Sequence, residues 1–317
     1  MTETIACLSP LTEQQVRELA GTDDVKVLVA PDPPAPEAVR EVVAGADVVI
    51  ADMTHRHRLD RDALAAMTRC RLVQQPAVGF DVIDHLAAAE LGIPVANAAG
   101  FNADAVADWT LMGILNAVRH GARLDREMRA GGWRPSAALR ARDMRALTVG
   151  IVGMGNIGRQ VAARVAGFGS QILYYDVVAR DLPGCEPVSF DELLERSDVV
   201  TLHLPLDAGS KALIGAPELR RMRPGAILCN ASRGPIVDEA ALVEALESGH
   251  IGGAALDVFE VEPLAADSPL LRMENVFVNP HIAGGSEQAR ANLMEQTGAN
   301  VRRVLAGEKP VNVVNGL

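Results

Sequence analysis

The sequence lacks the features that mark membrane-spanning, secreted and metal-binding proteins. It contains no run of about 18 uncharged apolar residues, so we expect no transmembrane helix. Residues 1–17 carry acidic side chains and lack the basic-then-apolar order of a signal peptide, which predicts a cytoplasmic protein. The 4 cysteines show no C-x-x-C spacing, so we predict neither a disulfide framework nor a metal site.

Positive charge is also scarce. The 30 lysines and arginines are outnumbered by 41 aspartates and glutamates, and the formal net charge is -11. Long-range repulsion therefore opposes binding to nucleic acid or to an anionic membrane, and we expect neither as a partner. A small anionic ligand is compatible with this charge, because it meets only a local cluster of positive groups.

What the sequence does contain is typical of a folded protein with two domains. Of its 317 residues, 49% are hydrophobic and 22% are charged, and these values exclude a disordered chain. The length favours two domains over a single core. Neither a low-complexity linker nor a tandem repeat of fixed period is found.

Short apolar runs alternate with helix-length amphipathic segments from residue 147 onward. This pattern predicts the strands of a parallel sheet that helices cover on both faces. The six predicted strands are residues 147–152, 171–176, 198–204, 226–230, 254–258 and 276–279. The fold class that follows is α/β, with a doubly wound parallel sheet.

The first hundred residues repeat this alternation on a smaller scale. Four further strands are predicted at residues 25–30, 48–51, 71–75 and 94–97, with helices between them. We predict that residues 104–130 form one long helix, which carries the chain from the first unit to the second. A last helix is predicted from about residue 286 to about residue 306. If the tail 310–317 packs on the first unit, that unit is discontinuous.

A glycine motif follows the first strand of the larger unit. Gly153, Gly155 and Gly158 form G-x-G-x-x-G between a predicted strand and a predicted helix. The first glycine allows a tight turn, the second lets the backbone approach a pyrophosphate, and the third lets the helix pack closely on the sheet. Free amides at the helix start attract the pyrophosphate, so the predicted site includes Asn156 and Ile157. A plain glycine-rich turn is the alternative.

An aspartate ends the next predicted strand. A carboxylate at Asp176 would accept hydrogen bonds from ribose hydroxyls and repel a 2′-phosphate, so NAD(H) is favoured over NADP(H). The next residue is Val177, so no arginine is adjacent, although Arg180 is near enough to keep NADP(H) open. The alternative is a surface aspartate without a ligand.

Three chemically active side chains follow the late predicted strands. Arg233, Glu262 and His281 stand at or just beyond the carboxyl ends of these strands, the edge that faces the ligand in open parallel sheets. Hydride transfer to a 2-keto acid leaves negative charge on the carbonyl oxygen, which a protonated histidine can quench as general acid. A nearby carboxylate stabilises the imidazolium, and an arginine binds the substrate with forked hydrogen bonds. We therefore predict these three as the catalytic residues.

Each of the three also has a structural interpretation. His281 can be a loop histidine satisfied by a backbone carbonyl, and Glu262 can cap a turn before Pro263. Arg233 can simply pair with Asp238. Their joint placement after the glycine motif favours catalysis.

The same residues resemble the D-isomer-specific 2-hydroxyacid dehydrogenases, which include glycerate, phosphoglycerate and D-lactate dehydrogenases. The resemblance covers nearly the whole chain and is carried by residues 222–239, MRPGAILCNASRGPIVDE, and residues 240–260, AALVEALESGHIGGAALDVFE. It implies two Rossmann-like domains with the cleft between them. Residues 1–99 plus 286–317 would form a flavodoxin-like substrate-binding domain, and residues 100–285 the NAD-binding domain.

The resemblance implies a role for each catalytic residue. Arg233 would orient the substrate, Glu262 would be the partner carboxylate, and His281 would be the acid/base. The backbone amides of Val78 and Gly79 in the small domain would bind the substrate carboxylate. The implied substrate is a small 2-keto or 2-hydroxy acid.

The resemblance also implies NAD(H) as cofactor and further contacts to it. Asp257 would hold the nicotinamide carboxamide. The other implied cofactor-binding residues are Val106, Thr110 and Pro205. Members of the family usually form homodimers through the NAD domain, so a second copy of the chain is the expected partner.

Several positions depart from the common family pattern. Ala77 stands where glycine is frequent, Asp108 replaces a usual glutamate, and residues 284–286 read GGS where GAT-like sequences are commoner. These departures bear on the substrate rather than on the reaction type. The side chains expected to set substrate choice are Met53, Thr54, His55, Arg56, Phe101 and Asn102. A solvated loop is the alternative for His55 and Arg56.

Two functions are compatible with the sequence. The first is an NAD-dependent D-2-hydroxyacid dehydrogenase that runs mainly as a 2-ketoacid reductase. The second is an NADH-sensing, corepressor-like binding protein with little turnover. No peptide-binding insertion in the sequence supports the second.

Overall fold

The computed structural model describes residues 2–31, 35–133, 141–178 and 180–317. The chain divides into two compact units: a first unit of Met1–Asn102 with Ser286–Leu317, and a second unit of Ala103–Gly285. Each unit is built around one parallel sheet, which confirms the predicted α/β class with two Rossmann-like domains. The functional roles given to the two domains stay predictions.

The first unit contains a five-stranded sheet. Its strands are β1 (Glu3–Cys7), β2 (Val25–Val29), β3 (Val48–Ile50), β4 (Leu72–Gln74) and β5 (Val95–Ala96). They are all parallel, in the order β2-β1-β3-β4-β5. Between them lie the helices α1 (Glu13–Ala20), α2 (Pro36–Val43), α3 (Arg61–Ala65) and α4 (His85–Glu90). Alternate residues of β1 enter different cores, Ala6 on one face of the sheet and Ile5 on the other.

The second unit contains a seven-stranded sheet. Its strands are β6 (Thr148–Val152), β7 (Gln171–Tyr175), β8 (Glu186–Pro187), β9 (Val199–Leu202), β10 (Ala226–Asn230), β11 (Ile251–Leu256) and β12 (Val276–Val278). They are all parallel, in the order β12-β11-β10-β9-β6-β7-β8. The direction of the order reverses between β6 and β9, so the carboxyl ends of these strands form the crevice expected to bind a ligand.

Helices cover both faces of the larger sheet. They are α5 (Ala103–Arg119), α6 (Gly121–Arg129), α7 (Asn156–Gly167), α8 (Phe190–Arg196), α9 (Ala216–Arg221) and α10 (Glu239–Glu247). Ile151 enters the core under α5 and α7, and Val152 enters the core on the other face. Strands buried on both faces explain the nearly continuous apolar runs in the sequence.

The last helix and the tail return to the first unit. Helix α11 (Glu287–Leu305) begins after Ser286, whose hydroxyl accepts a hydrogen bond from the amide of Ala289. In the tail, Val313 forms an antiparallel bridge with Ala96. The first unit is therefore discontinuous in sequence.

Two details of the prediction are wrong. The helix predicted over residues 104–130 is two helices, because His120 has left-handed backbone angles (φ 56°) that interrupt the hydrogen-bond ladder between α5 and α6. The strand predicted at residues 254–258 is β11, which begins at Ile251. Gly252 and Gly253 resemble strand breakers, but added Cβ atoms there would lie 2.6 Å and 2.8 Å from the carbonyl oxygens of Gly225 and Asn275. Glycine is the residue that allows this close strand packing.

The prediction also missed β1 and β8. In β1 the polar residues Glu3 and Thr4 precede the buried part of the strand, so its apolar run is short.

Among the residues that the structure describes, no helix is long and apolar enough to cross a membrane.

Candidate active site

The glycine motif forms a tight junction between β6 and α7. Gly153 has φ 93°, and a Cβ atom added there would lie 2.4 Å from the carbonyl oxygen of His203. A Cβ atom on Gly158 would lie 2.1 Å from the carbonyl oxygen of Gly153. Both positions therefore require glycine, as the motif predicts.

The space at the start of α7 fits a pyrophosphate. A Cβ atom added to Gly155 would meet no described heavy atom within 4 Å, so the backbone is open at this point. Gly155 is the N-cap of α7 and makes no side-chain cap hydrogen bond, which leaves the first amides of the helix, at Asn156 and Ile157, for an external anion. This is the cradle that a dinucleotide needs.

Asp176 lies directly after β7 and is fixed beside the glycine motif. Its Oδ2 accepts a hydrogen bond from the amide of Met154 (2.6 Å), and its Oδ1 accepts one from the amide of Val178 (2.8 Å). The Nε atom of Arg180 is 3.8 Å from Oδ2. A carboxylate has about four lone-pair sites, so two amides leave capacity for ribose hydroxyls. The exclusion of a 2′-phosphate by Asp176 stays a prediction, because Arg180 offsets part of the negative charge.

The other residues predicted to touch the cofactor differ in their exposure to solvent. Val106 and Thr110 are both buried in α5, where the Thr110 hydroxyl donates to the Val106 carbonyl oxygen (2.7 Å). Pro205 is exposed, and its carbonyl oxygen accepts a hydrogen bond from the Ser210 hydroxyl (2.7 Å). The contacts of these residues with NAD(H) stay predictions.

Two of the predicted catalytic side chains are paired. His281 Nδ1 is 2.7 Å from Glu262 Oε2, and the two side chains are 49% and 37% exposed. Glu262 Oε1 also accepts a hydrogen bond from the amide of Phe259 (3.1 Å). Glu262 therefore caps its own turn and holds the imidazole as well, so the two interpretations of this residue are compatible. For His281 the partner of Nδ1 is a carboxylate and not a backbone carbonyl.

Asp257 fixes the backbone on which His281 stands. His281 has left-handed angles (φ 53°), and its amide donates to the Asp257 carbonyl oxygen (2.8 Å). The Asp257 carboxylate accepts the next two amides, from Ile282 (2.9 Å) and Ala283 (2.7 Å). Asp257 is fully buried, and this burial raises the pKa of its carboxyl group above the ordinary value.

The sequence did not predict this anchoring role of Asp257. It predicted only a contact between Asp257 and the carboxamide group of nicotinamide. A buried aspartate at the end of a strand, before a loop with a candidate acid/base, was the available signal. The contact with nicotinamide stays a prediction.

Arg233 lies in the loop after β10, close to the turn that carries Glu262. A Cβ atom added to the next residue, Gly234, would lie 1.8 Å from the carbonyl oxygen of Phe259, so the two backbones touch. The Asn230 side chain donates to the Arg233 carbonyl oxygen (3.0 Å) and shapes this loop.

Arg233 also contacts its own loop, since Nη1 donates to the carbonyl oxygen of Ser232 (2.8 Å). Asp238, its alternative partner, caps α10 by accepting the amide of Ala241 (3.0 Å). Both the catalytic role of Arg233 and its pairing with Asp238 stay predictions.

The predicted substrate residues Val78 and Gly79 belong to the first unit. They lie in the loop after β4, and the Asn97 side chain donates to the Val78 carbonyl oxygen (2.7 Å). The candidate specificity residues occupy the turn after β3 and the end of the first segment of this unit; they are Met53, Thr54, His55, Arg56, Phe101 and Asn102.

A glycine motif that leaves the start of α7 open, a carboxylate after the next strand and a His–Glu pair on one parallel sheet are typical of an oxidoreductase that uses a nicotinamide cofactor. Residues 111–283 match the model of the D-isomer specific 2-hydroxyacid dehydrogenase family, NAD binding domain. The chain belongs to this family. It is therefore an NAD-dependent oxidoreductase of the class that acts on the CH–OH group of 2-hydroxy acids, and its cofactor is NAD(H).

Similar proteins agree with this assignment. The chain is 40% identical over 290 residues to a glyoxylate reductase of Korarchaeum cryptofilum, covering 89% of this chain and 87% of that protein. The crystal structure of a glyoxylate reductase from Paecilomyes thermophila has a TM-score of 0.90 at 28% identity, covering 99% and 98% of the two chains. The D-lactate dehydrogenase of Aquifex aeolicus, crystallised with NAD and lactic acid, has a TM-score of 0.84 at 28% identity, covering 96% of each chain.

Proposed function

We propose that the protein is a 2-ketoacid reductase in which His281 is the acid/base and Glu262 its partner. The observation that carries this proposal is the 2.7 Å contact between His281 Nδ1 and Glu262 Oε2. An ionised carboxylate at Nδ1 holds a proton there and orients the ring. The other ring nitrogen, Nε2, is then the atom that exchanges a proton with the substrate.

The chain's own groups would supply everything except the hydride. When bound, NADH supplies a hydride from nicotinamide C4 to C2 of the 2-keto acid. His281 Nε2 donates a proton to the carbonyl oxygen, which becomes the hydroxyl group, and takes it back in the reverse direction. Arg233 binds the substrate carboxylate and carbonyl with its forked donors. The proposal also assigns the backbone amides of Val78 and Gly79, in the first unit, to the substrate carboxylate.

Glyoxylate is the first substrate to test. Both a sequence relative and a structural neighbour are glyoxylate reductases. A homodimer formed through the second unit is part of the same proposal.

Replacing the acid/base tests the proposal. His281→Gln should lower kcat for glyoxylate reduction by roughly 10²–10⁴-fold, because general acid catalysis is lost. NADH affinity, measured by fluorescence titration, should stay unchanged. His120→Gln is the matched control, since His120 has the same left-handed backbone (φ 56°) but stands at the N-cap position of α6, where its side chain makes no cap hydrogen bond. Unchanged turnover of His281→Gln would contradict the role of His281, and tight NADH binding without turnover in the wild type would favour the sensing function.

A further inference from the structure

A buried carboxylate in the first unit organises the turn that follows β3. Asp52 is 0% exposed. Its carboxylate accepts hydrogen bonds from the backbone amides of Thr54 (2.8 Å), Arg56 (2.9 Å) and His57 (3.0 Å). The Thr54 hydroxyl donates to the same carboxylate (2.7 Å). One side chain therefore sets the path of residues 53–57.

The His57 ring completes this cluster. It is 4% exposed, with Nδ1 2.9 Å from Asp52 Oδ2 and Nε2 3.2 Å from the Pro31 carbonyl oxygen. An ionised carboxylate only accepts hydrogen bonds, so Nδ1 carries the proton of this contact. The ring therefore ties the turn to the segment that follows β2.

Asp52 is ionised under ordinary conditions. Burial alone would raise the pKa of Asp52, but hydrogen bonds from Thr54 and His57 outweigh it and lower the pKa to about 2. The cluster is thus built on a buried carboxylate, and removing one of its hydrogen-bond donors leaves that charge less well compensated in the interior.

The turn held by this pair lies beside the loop 77–79, which carries the proposed substrate amides. The Gln75 side chain, just before this loop, donates to the Asp52 carbonyl oxygen (3.2 Å). Further along, the amide of Leu59 donates to the Val82 carbonyl oxygen (2.9 Å). The two segments therefore run side by side at the carboxyl edge of the first sheet, where open parallel sheets bind ligands.

We propose that Asp52 and His57 are positioning residues for the substrate, because their buried hydrogen-bonded pair fixes the turn 53–56 against the loop 77–79. The inference rests on the proposed function, which gives the amides of Val78 and Gly79 to the substrate carboxylate. Loss of either side chain's hydrogen bonds shifts the turn and the loop together. All predicted NAD(H) ligands belong to the second unit, so the cofactor is unaffected.

Steady-state kinetics of two variants test this inference. In His57→Gln and Asp52→Asn, KM for glyoxylate and for hydroxypyruvate should rise about tenfold, since small displacements of binding groups are costly. The kcat should change less than about twofold, and Kd for NADH should stay unchanged. Asp60→Asn is the control: Asp60 lies shortly after the turn 53–56, and its carboxylate caps α3 by accepting the amide of Ala63. Asparagine caps as well as aspartate, so this variant should behave as wild type.

Three results separate the possible failures. Wild-type KM values in both variants, or a parallel loss of NADH affinity, would overturn the positioning role. Nitrogen NMR of the folded wild type should show a proton on His57 Nδ1, and an unprotonated Nδ1 would overturn its hydrogen bond to Asp52 even where a variant fails to fold. If the wild type reduces none of glyoxylate, hydroxypyruvate, pyruvate and phenylpyruvate, the proposed function itself has failed.

Discussion

Asp257 is the residue on which the geometry of His281 depends most. Its carboxylate accepts two backbone amides at full burial, and an asparagine can accept only one of them. Asp257→Asn should therefore lower the free energy of unfolding by about 1–3 kcal/mol, the cost of an unsatisfied buried group. It should also lower kcat, because the backbone of His281 shifts. Urea unfolding and initial rates measure the two effects.

Asp238→Asn provides the control for this substitution. Asp238 caps α10 through one amide, so asparagine replaces it with almost no change in stability. If Asp257→Asn raises Kd for NADH while unfolding stability and kcat stay near wild type, Asp257 acts on the nicotinamide and not on the loop.

Because its pKa is lowered, the Asp52 carboxylate should stabilise the folded protein only over a defined range of pH. An aspartate whose pKa falls from 3.8 to about 2 on folding stabilises the native state above its unfolded pKa, by about 2 kcal/mol. This contribution is lost as pH falls through the range between about 4 and about 2. Urea unfolding should therefore show Asp52→Asn less stable than wild type at pH 6, with a gap that shrinks below pH 4. A gap independent of pH would mean that the charge of Asp52 adds nothing.

At the scale of elements, a substitution at the start of α7 should change NADH affinity without changing the stability of the free protein. Gly155 has open space around it, so Gly155→Ala should leave the melting temperature of the free protein unchanged. The added methyl group would occupy the space through which the pyrophosphate approaches, so Kd for NADH should rise about tenfold. Titration of NADH fluorescence measures this change.

Gly167→Ala is the matched control for that variant. Gly167 lies in the last turn of the same helix, and its added Cβ also meets no described heavy atom within 4 Å. NADH affinity should be that of the wild type. Equal NADH affinity in Gly155→Ala and Gly167→Ala would show that the pyrophosphate does not approach Gly155.

The buried strands were the easiest elements to predict. Strand β10 matches its prediction residue for residue, because all five of its residues are buried and the apolar run has clear ends. The split at His120 was not predictable from apolar spacing, since this spacing continues across it. In the site, the types of the catalytic residues indicated the chemistry, whereas the anchoring of His281 by Asp257 depends on a contact between distant segments that local patterns do not contain.

At the scale of the whole molecule, the two units repeat one design. The order β2-β1-β3-β4-β5 corresponds to β7-β6-β9-β10-β11 in the larger sheet. In each unit, an aspartate just before the strand where the order reverses (β3 or β9) accepts a hydrogen bond from a backbone amide of the neighbouring strand (β1 or β6). Asp47 accepts the amide of Thr4 and Asp198 that of Thr148, each at 2.8 Å. The same sheet thus carries different chemistry according to its loops.

The discontinuity of the first unit leads to a prediction for the tail. Val314 donates its amide to the Val95 carbonyl oxygen, and the Asn315 side chain binds Val95 and Ile93. Each such hydrogen bond contributes about 1 kcal/mol, so removing residues 309–317 should destabilise the first unit by a few kcal/mol. Calorimetry should show an earlier first transition, while the transition that NADH stabilises stays in place. A loss of NADH binding at low temperature would contradict the division into two units.

The central claim is that the protein transfers hydride from NADH to a 2-keto acid. The most direct test is the initial rate of NADH oxidation, followed by absorbance, with glyoxylate, hydroxypyruvate, pyruvate and phenylpyruvate, and with NADPH in parallel. The account predicts that at least one keto acid is reduced with NADH and that His281→Gln loses this activity. Saturable NADH binding without oxidation by any of the four keto acids would contradict it.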